Sequence, residues 1–508
     1  MNCPKYSIFV DEIINTALDN NTMIYNTKDL NEVFWAAIDG FRNGRDPLGI
    51  ENSSVALYSL LVPGLTNLTG RVRYYSFFCW LLSEYKLLRR NGKMSELEQY
   101  DFIRRAELAM AFIMKPYPQI TSVVGRLYTQ GFNNSPYDLS VGADLHTEGR
   151  KYWEFEFGAF GQYYLGSMVL LGLAVSQNGQ HRYHATDKGE ILADAYRQSV
   201  DRNTLSIFLK VVTVGSINDN DIHSLAEMRI DEISKGSDER KMLNDIFMNK
   251  DLPYDNPTSD FRISTIRRLI TFCTEEPSSP INDFPRYMYE RYNENYQGAE
   301  FGWYVYYMQE ALHYCTETLF SEFLKGIEDK HEVPFIGYIK HCCAELSECV
   351  DCTNPKISII IERYADNDLP ELVSRLIHVT SHIDALKMAV ITMLRIFDEV
   401  ERNNDAIKQF ETTCQLSSQP GILSQYTNEY FALTDNQNVS DFANHIYKCI
   451  IADHTAAAYR KTVNNSDTCL LKFVIDEGNI MHVATTYPQF TNPRLGSLYN
   501  MLIDLGCL

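Results

Sequence analysis

Tyr163-Tyr164-Leu165-Gly166-Ser167-Met168-Val169-Leu170-Leu171-Gly172-Leu173-Ala174, then Val175-Ser176-Gln177-Asn178-Gly179-Gln180-His181-Arg182-Tyr183-His184-Ala185, then Thr186-Asp187-Lys188-Gly189-Glu190-Ile191-Leu192-Ala193, is the stretch that decides the fold. The first run is amphipathic and ends at Gly172, where glycine takes a left-handed helix cap at no steric cost. Two short strands are expected around Asn178-Gly179, the preferred two-residue hairpin turn. Thr186 can then N-cap a helix whose Ile191, Leu192 and Ala195 are expected to face inward. The stretch predicts a helix, a two-stranded flap and a second helix over residues 158–200.

That order resembles a winged-helix module, and the leucine-glycine-leucine, hairpin, threonine-x-x-glycine pattern is similar to many bacterial winged-helix proteins. The resemblance implies nucleic-acid contact or protein docking. A helix that reads base edges should present Arg, Lys, Asn or Gln, and Tyr163 to Met168 presents none. The wing offers His181, Arg182 and Lys188, set against Asp187, Glu190 and Asp194.

Outward from this stretch, helices dominate. Residues 1–47 read as a short helical arm and a polar loop. Ser53 and Ser54 can cap Val55–Val62, and Pro63-Gly64 stops that helix. Arg71 to Leu82 is apolar on most faces, the mark of a helix buried between others. Ser95 with Glu98 reads as a capping box. The helix that follows should bury Phe102, Ala106, Leu108, Ala109, Ala111 and Phe112. Residues 127–157 read as a punctuated connection. Further helices are expected near 259–275, 301–328, 335–348 and 366–403, the last two separated by a cysteine-rich turn and the last one long. Leu470–Ile475 and Met481–Thr485 flank Asp476-Glu477-Gly478-Asn479, a hairpin signal. A closing helix after Pro493 is expected either to dock on that hairpin or simply to cover the core.

The expected fold is therefore mainly α, with multi-helix bundle domains, an embedded winged-helix module and a short C-terminal β-hairpin. Four segments follow: 1–126, helical with a basic block; 127–200, connection and module; 201–437, helical; 438–508, helix, hairpin and closing helix.

The 508 residues are 45% apolar and 22% charged, ordinary globular values, with a formal net charge of −20. Nucleic-acid affinity comes largely from cations that neutralise phosphates, so contact would need a local basic patch. The first residues carry acids where an export signal needs a basic segment. The most apolar stretch, Tyr163 to Val175, falls short of the about 20 residues a membrane span needs. Reduced cysteines and a cytoplasmic, non-membrane protein are the expectation.

Three constellations bear on chemistry. Arg71, Arg73, Arg89, Arg90, Arg104 and Arg105 cluster with Lys86 and Lys93 in one helical block, a candidate phosphate-facing surface. The alternative is a mixed-charge face in which Arg71 and Arg73 pin carboxylates. Cys349 and Cys352 have the two-residue gap of a zinc site, with His341, Cys342 and Cys343 as the remaining ligand candidates. Clustered cysteines in a reduced helical turn explain them equally simply. His378 and His382 at i, i+4 share a face if their helix is continuous, with Asp384 close by. Arg375 and His382 also have a spacing similar to the Arg-x(4–6)-His pair of HEPN-type helical ribonucleases. That likeness implies His382 as acid/base and Arg375 as phosphate holder, although the polar residue usual after that Arg is Leu376 here. Glu84-Tyr85-Lys86, with Asp46 upstream, matches an ExK nuclease fragment but falls on a helix rather than a strand. No phosphate loop is present, and no cofactor is implied.

The block Asp46-Pro47-Leu48-Gly49, Leu61-Val62-Pro63-Gly64-Leu65-Thr66-Asn67-Leu68-Thr69 and Arg71-Val72-Arg73-Tyr74-Tyr75-Ser76-Phe77-Phe78 resembles a pattern in bacterial proteins associated with defence or mobile-element gene neighbourhoods. The resemblance covers most of the chain and brings no catalytic residues. It implies a non-enzymatic subunit of an anti-phage or DNA-transaction complex, binding the product of a neighbouring gene, with DNA or RNA and self-assembly left open. The rival expectations are a HEPN-like or metal-dependent nuclease and a winged-helix transcription regulator.

Overall fold

The computed structural model describes residues 46–508 except 66–69, 91, 93–96, 177–181, 249–258, 294, 331–332, 432–436 and 464–469. The N-terminal arm, the Ser95 cap, the Asn178-Gly179 turn and His181 lie outside the described residues. The fold is mainly α, with a few short antiparallel strands.

In chain order, the helices begin with α1 (Glu51–Leu61), α2 (Arg73–Arg90) and α3 (Gln99–Ile113). Then come α4 (Leu165–Leu170), β1 (Ala174–Ser176), β2 (Tyr183–Ala185), α5 (Asp187–Ser199) and α6 (Arg202–Val214). Next are α7 (Asp238–Met248), α8 (Ser259–Glu275), α9 (Ala299–Lys325), β3 (Val333–Pro334) and α10 (Phe335–Asp351). They continue as α11 (Ile357–Tyr364), α12 (Leu369–His378), α13 (His382–Arg402), α14 (Asn404–Thr413) and α15 (Leu423–Tyr430). The last are α16 (Val439–Val463), β4 (Phe473–Asp476), β5 (Asn479–His482) and α17 (Leu495–Leu505). The chain divides into two compact units, Met1–Tyr58 with Pro285–Thr491, and Ser59–Phe284 with Asn492–Leu508. These cut across the four segments read from the sequence.

The second of these units is built on α2, whose residues Tyr74 to Leu82 are all buried. Phe77 meets Tyr196 of α5 and Phe208 of α6 at ring-centroid distances of 6.1 and 5.8 Å. Phe78 meets Phe160 and Tyr164 at 5.1 and 5.0 Å. Each such ring contributes about 1.5–3 kcal/mol through burial, so the aromatic seam is a large contributor to the unit's cohesion. Arg262 of α8 is fully buried and donates to the carbonyls of Ile246 and Phe247, at the end of α7, and of Pro63. It meets acceptors that helix ends otherwise leave without partners.

Within this unit the order helix, flap, helix over 158–200 is observed. A π-helical turn, Phe160–Tyr164, runs into α4. Gly172 has φ +69°, the left-handed conformation glycine favours. Strands β1 and β2 pair antiparallel, with Ala174 opposite Ala185. Thr186 caps α5 by accepting from the amide of Gly189 at 3.1 Å. A Cβ on Gly189 would come within 2.1 Å of the Leu173 carbonyl oxygen, so only glycine lets α5 start this close to the strand. The threonine-x-x-glycine spacing thus has a steric cause. One expectation fails: Ile191 is 58% exposed, and the buried face of α5 is Leu192, Ala193, Ala195 and Tyr196.

In the other unit, α9 packs against α13, and α10 against α13 and α16. Ser53 and Ser54 sit inside α1 rather than capping it. The cap comes from Asp46, whose carboxylate accepts from the amides of Ile50 and Glu51 at 2.8 and 3.2 Å. Both serines accept instead from the amide of Gln309, whose own oxygen takes the Leu423 amide at 3.0 Å. The C-terminal hairpin is present, with Ile475 opposite Ile480, and β3 adds a third strand in the order β3-β5-β4. Helix α17 belongs to the other unit from this hairpin and packs against α7.

The single long helix expected over 366–403 is two helices. Val379 is extended (φ −69°, ψ 138°), and Ser381 accepts from the Asp384 amide at 3.4 Å to start α13 afresh. The expected cysteine-rich turn is shorter than read: α10 runs through Cys349 to Asp351, and the chain turns at Cys352 before α11.

Candidate functional site

On the second unit the loop that precedes the flap module carries an exposed ring, Phe155, and a half-buried one, Trp153, on a rigid base. The base is a pair of buried residues one turn apart on α3, Arg104 and Glu107. The Arg104 guanidinium donates to the carbonyls of Phe155 (2.5 Å), Trp153 (2.8 Å) and Ala143. The Glu107 carboxylate accepts from the amides of Phe160 (2.6 Å) and Ala159 (3.0 Å) and from the Tyr152 hydroxyl. Burial pushes the Glu107 carboxyl up to about 7. Together the two side chains satisfy backbone groups on both sides of the turn, so residues 152–157, which belong to no helix or strand, are tied down at both ends.

That turn presents Trp153, Phe155 and, from the following helix, Tyr163 and Leu170. Phe155 and Leu170 are each 47% exposed. The Trp153 and Tyr163 rings meet edge to face at 5.7 Å, and the Trp153 indole donates to Gln162 at 2.7 Å. Gly166 lies between Tyr163 and Leu170, and a Cβ there would meet nothing within 4 Å. The strip is therefore shallow and open. Exposed Glu154 and Glu156 flank Phe155.

The residues of the expected basic surface mostly face inward. Arg71 pairs with Asp504 at 2.7 Å. Arg73, 2% exposed, reaches Glu239 through Nε at 3.2 Å and the carbonyls of Glu227 and Arg229 through Nη1. Arg105 meets Asp144 at 2.7 Å. Lys86 pairs with Glu190 at 3.1 Å and Arg182 with Glu98 at 3.8 Å, while Lys188 donates to the Leu171 carbonyl. Arg89 and Arg90, at the end of α2, are exposed, and Arg89 donates to the Tyr85 hydroxyl at 3.1 Å. The ExK pair is split the same way, Glu84 accepting from Arg197 and Trp80.

Arg375 and His378 lie on α12 and are exposed, whereas His382 opens α13. The two histidines therefore do not share a helical face. Both ring nitrogens of His382 are engaged, Nδ1 with Glu322 at 2.5 Å and Nε2 with Glu345 at 3.1 Å. Burial works against its charge, but the two carboxylates outweigh it and raise the imidazole above its ordinary value. A ring held between two anions has no nitrogen left to exchange a proton with a phosphodiester.

Cys342 and Cys343 are buried on α10, Cys349 is half-buried and Cys352 is exposed at the helix end. Cys342 and Cys352 are ten residues apart, about 15 Å along a helix, so the four sulfurs do not converge. His341 sits on the same helix and adds no convergent ligand. Among the described residues no group of three or more His, Cys, Asp or Glu is placed to hold a metal ion. Burial pushes the Cys342 and Cys343 thiols up to about 12 and about 11. No helix among the described residues is long and apolar enough to cross a membrane.

No protein-family model, no curated protein and no solved structure matches this chain.

The aromatic strip was missed in the sequence because Trp153 and Phe155 fall in a stretch punctuated by glycine, which reads as a connection. The available signal was the run Trp153-Glu154-Phe155-Glu156-Phe157, an alternation of rings and acids too dense in aromatics for a solvated linker.

Proposed function

We propose that this chain is a non-enzymatic, partner-binding subunit, and that the strip formed by Trp153, Phe155, Tyr163 and Leu170 is its docking surface for another protein. One observation carries the reading: an exposed ring, Phe155, and a half-buried one, Trp153, sit on a turn fixed by the buried Arg104 and Glu107. Pre-ordered aromatic anchors reduce the entropy lost on association and are the residue type that dominates binding energy at interfaces. The absence of cations from Tyr163 to Leu170 argues for protein rather than nucleic acid at this face, and Glu154 and Glu156 select a partner with basic residues at the rim. By the resemblance given above, the assembly is a bacterial anti-phage or DNA-transaction complex, the partner a neighbouring gene product, and the compartment the cytoplasm. If the module is a winged helix, it is one used for docking.

The test is co-expression with the products of the adjacent genes, followed by titration calorimetry on the purified pair. Trp153→Ala with Phe155→Ala should weaken binding by about 30-fold or more, the scale of two lost interface anchors, while circular dichroism stays unchanged. Glu154→Lys with Glu156→Lys should weaken it less, and more at low salt than at high salt. Full-strength binding by the Trp153/Phe155 variant, or no complex with any neighbouring product, would sink the proposal.

A further inference from the structure

We infer that the groove between α2 and α6 is a second docking site, and that it takes an acidic amphipathic helix from a partner protein. The groove has a volume of about 660 Å³. One wall is the α2 face carrying Trp80, Glu84 and Leu88; the other is the α6 face from Arg202 through Leu205 and Leu209 to Thr213. Positions 202, 205, 209 and 213 are spaced by three and four residues, so they form one continuous helical face about 16 Å long. That length matches three turns of a guest helix.

The floor is firm. Trp80 is fully buried, its ring 5.7 Å from Phe208 and 5.4 Å from Tyr196, and its indole donates to Glu84 at 3.1 Å. Above it Leu88 and Leu209 are half-buried and accessible from the groove. Both walls are helices whose backbone groups bond within themselves, so the groove has no strand edge to extend. An apolar floor between helices suits a guest helix with apolar residues at i, i+3 or i+4, and i+7.

Charge selects the guest's flanks. The lining holds three cations, Arg197, Arg202 and Lys210, against one carboxylate, Glu84. Arg197 is already paired with Glu84 at 2.9 Å. Arg202 and Lys210 are exposed, and among the described residues neither side chain is in an ion pair. Exposed Arg89 and Arg90 follow Leu88 directly on α2. On a chain of net charge −20, this is a local positive rim around an apolar floor, and it complements a helix that is apolar on one side and acidic beside it. A nucleic-acid strand would leave the leucines against phosphate. The inference uses no residue of the aromatic strip, so either site can fail alone.

The experiment pans a displayed library of helical peptides on the full-length protein and tests the recovered peptides, fluorescently labelled, against groove variants. The expected binders carry apolar residues at helical spacing with Asp or Glu beside them. Lys210→Glu should weaken them on the order of tenfold at low salt and less at high salt, and Leu209→Glu on the order of tenfold at any salt. Lys210 is exposed, so its variant remains informative if Leu209→Glu disturbs folding. The Trp153/Phe155 variant should bind these peptides normally. Four outcomes would overturn the inference: no binders, basic binders, binders indifferent to both groove variants, or a groove occupied by something else. The last would appear as oligonucleotide binding abolished by Lys210→Glu, or as self-association on a sizing column abolished by Leu209→Glu.

Discussion

Replacing Glu239 by alanine should destabilise the unit built on α2 far more than its single carboxylate suggests. Glu239 is fully buried and accepts from Arg73 at 3.2 and 3.4 Å, from Ser76 at 2.5 Å and from Ser199 at 2.6 Å. The substitution leaves the Arg73 guanidinium, 2% exposed, without its bonded carboxylate. Breaking a buried pair from one side costs about 3–5 kcal/mol. Arg73 keeps the carbonyls of Glu227 and Arg229 at 3.0 and 2.7 Å, which holds the expected loss near 4 kcal/mol rather than above it. For a unit of this size that is a fall of about 8–16 °C in Tm. Replacing both partners with methionine should cost only about 1–2 kcal/mol, because no charge is then stranded. Urea unfolding followed by near-ultraviolet circular dichroism of the wild type, Glu239→Met, Arg73→Met and the double methionine variant gives the four free energies of the double-mutant cycle. Hydrogen exchange then shows whether the loss is confined to residues 59–284 and 492–508. A loss under about 1 kcal/mol for Glu239→Ala, or a double variant as unstable as the sum of the singles, would refute the reasoning.

Two further outcomes follow from the other unit and from the cysteines. His382 titrates above its ordinary value of 6.5, so its bridge between Glu322 and Glu345 is fully present below about pH 6.5 and is lost as the pH rises through the raised folded value. The stability difference between the wild type and His382→Ala should therefore be largest near pH 5.5, about 0.5–1 kcal/mol for a partly solvated bridge, and fall toward zero by pH 9. A pH-independent difference in urea unfolding counts against the bridge. Among the cysteines of α10, Cys352 should react with maleimide first and Cys342 and Cys343 only on unfolding, since the latter thiols are buried and pushed up to about 12 and about 11. Mass spectrometry of timed samples reads the order. Protection of Cys349 and Cys352 that a zinc chelator relieves would restore the metal reading.

What could be read from the sequence was local. Gly172, Thr186 and Gly189 act on their own turns, so the helix, flap and helix over 158–200 were visible without knowing what surrounds them. The same holds for the turn at Glu477-Gly478, where φ is 47° and 84°. The break before Ser381 was hidden because Val379, Thr380 and Ser381 carry no proline or glycine, and the apolar period continues across them. The third strand was hidden because Val333 and Ile480 pair across well over a hundred residues. The basic block failed for the same reason at longer range. Arg71 finds its carboxylate 433 positions away, and nothing near Arg71 says whether the side chain points outward or toward Asp504.

The inward use of arginine also explains why the exposed aromatic turn can be a binding surface at all. A loop without secondary structure leaves its carbonyls and amides to water, and it moves unless something else satisfies them. In this chain, buried arginines supply the donors: Arg104 for the turn at 153–155, Arg73 for the carbonyls at 227 and 229, and Arg262 for the end of α7. A guanidinium suits this work because its planar fork reaches several acceptors at once and its charge survives burial, where a lysine would offer a single point. Arg73 and Arg104, counted in the sequence as part of a surface for phosphate, are in the folded chain the scaffold that fixes irregular segments. The Phe155 ring is exposed, and the Trp153 ring half-buried, on a turn that the buried Arg104 holds in place, and the same residue that weakens the case for nucleic acid strengthens the case for a protein partner.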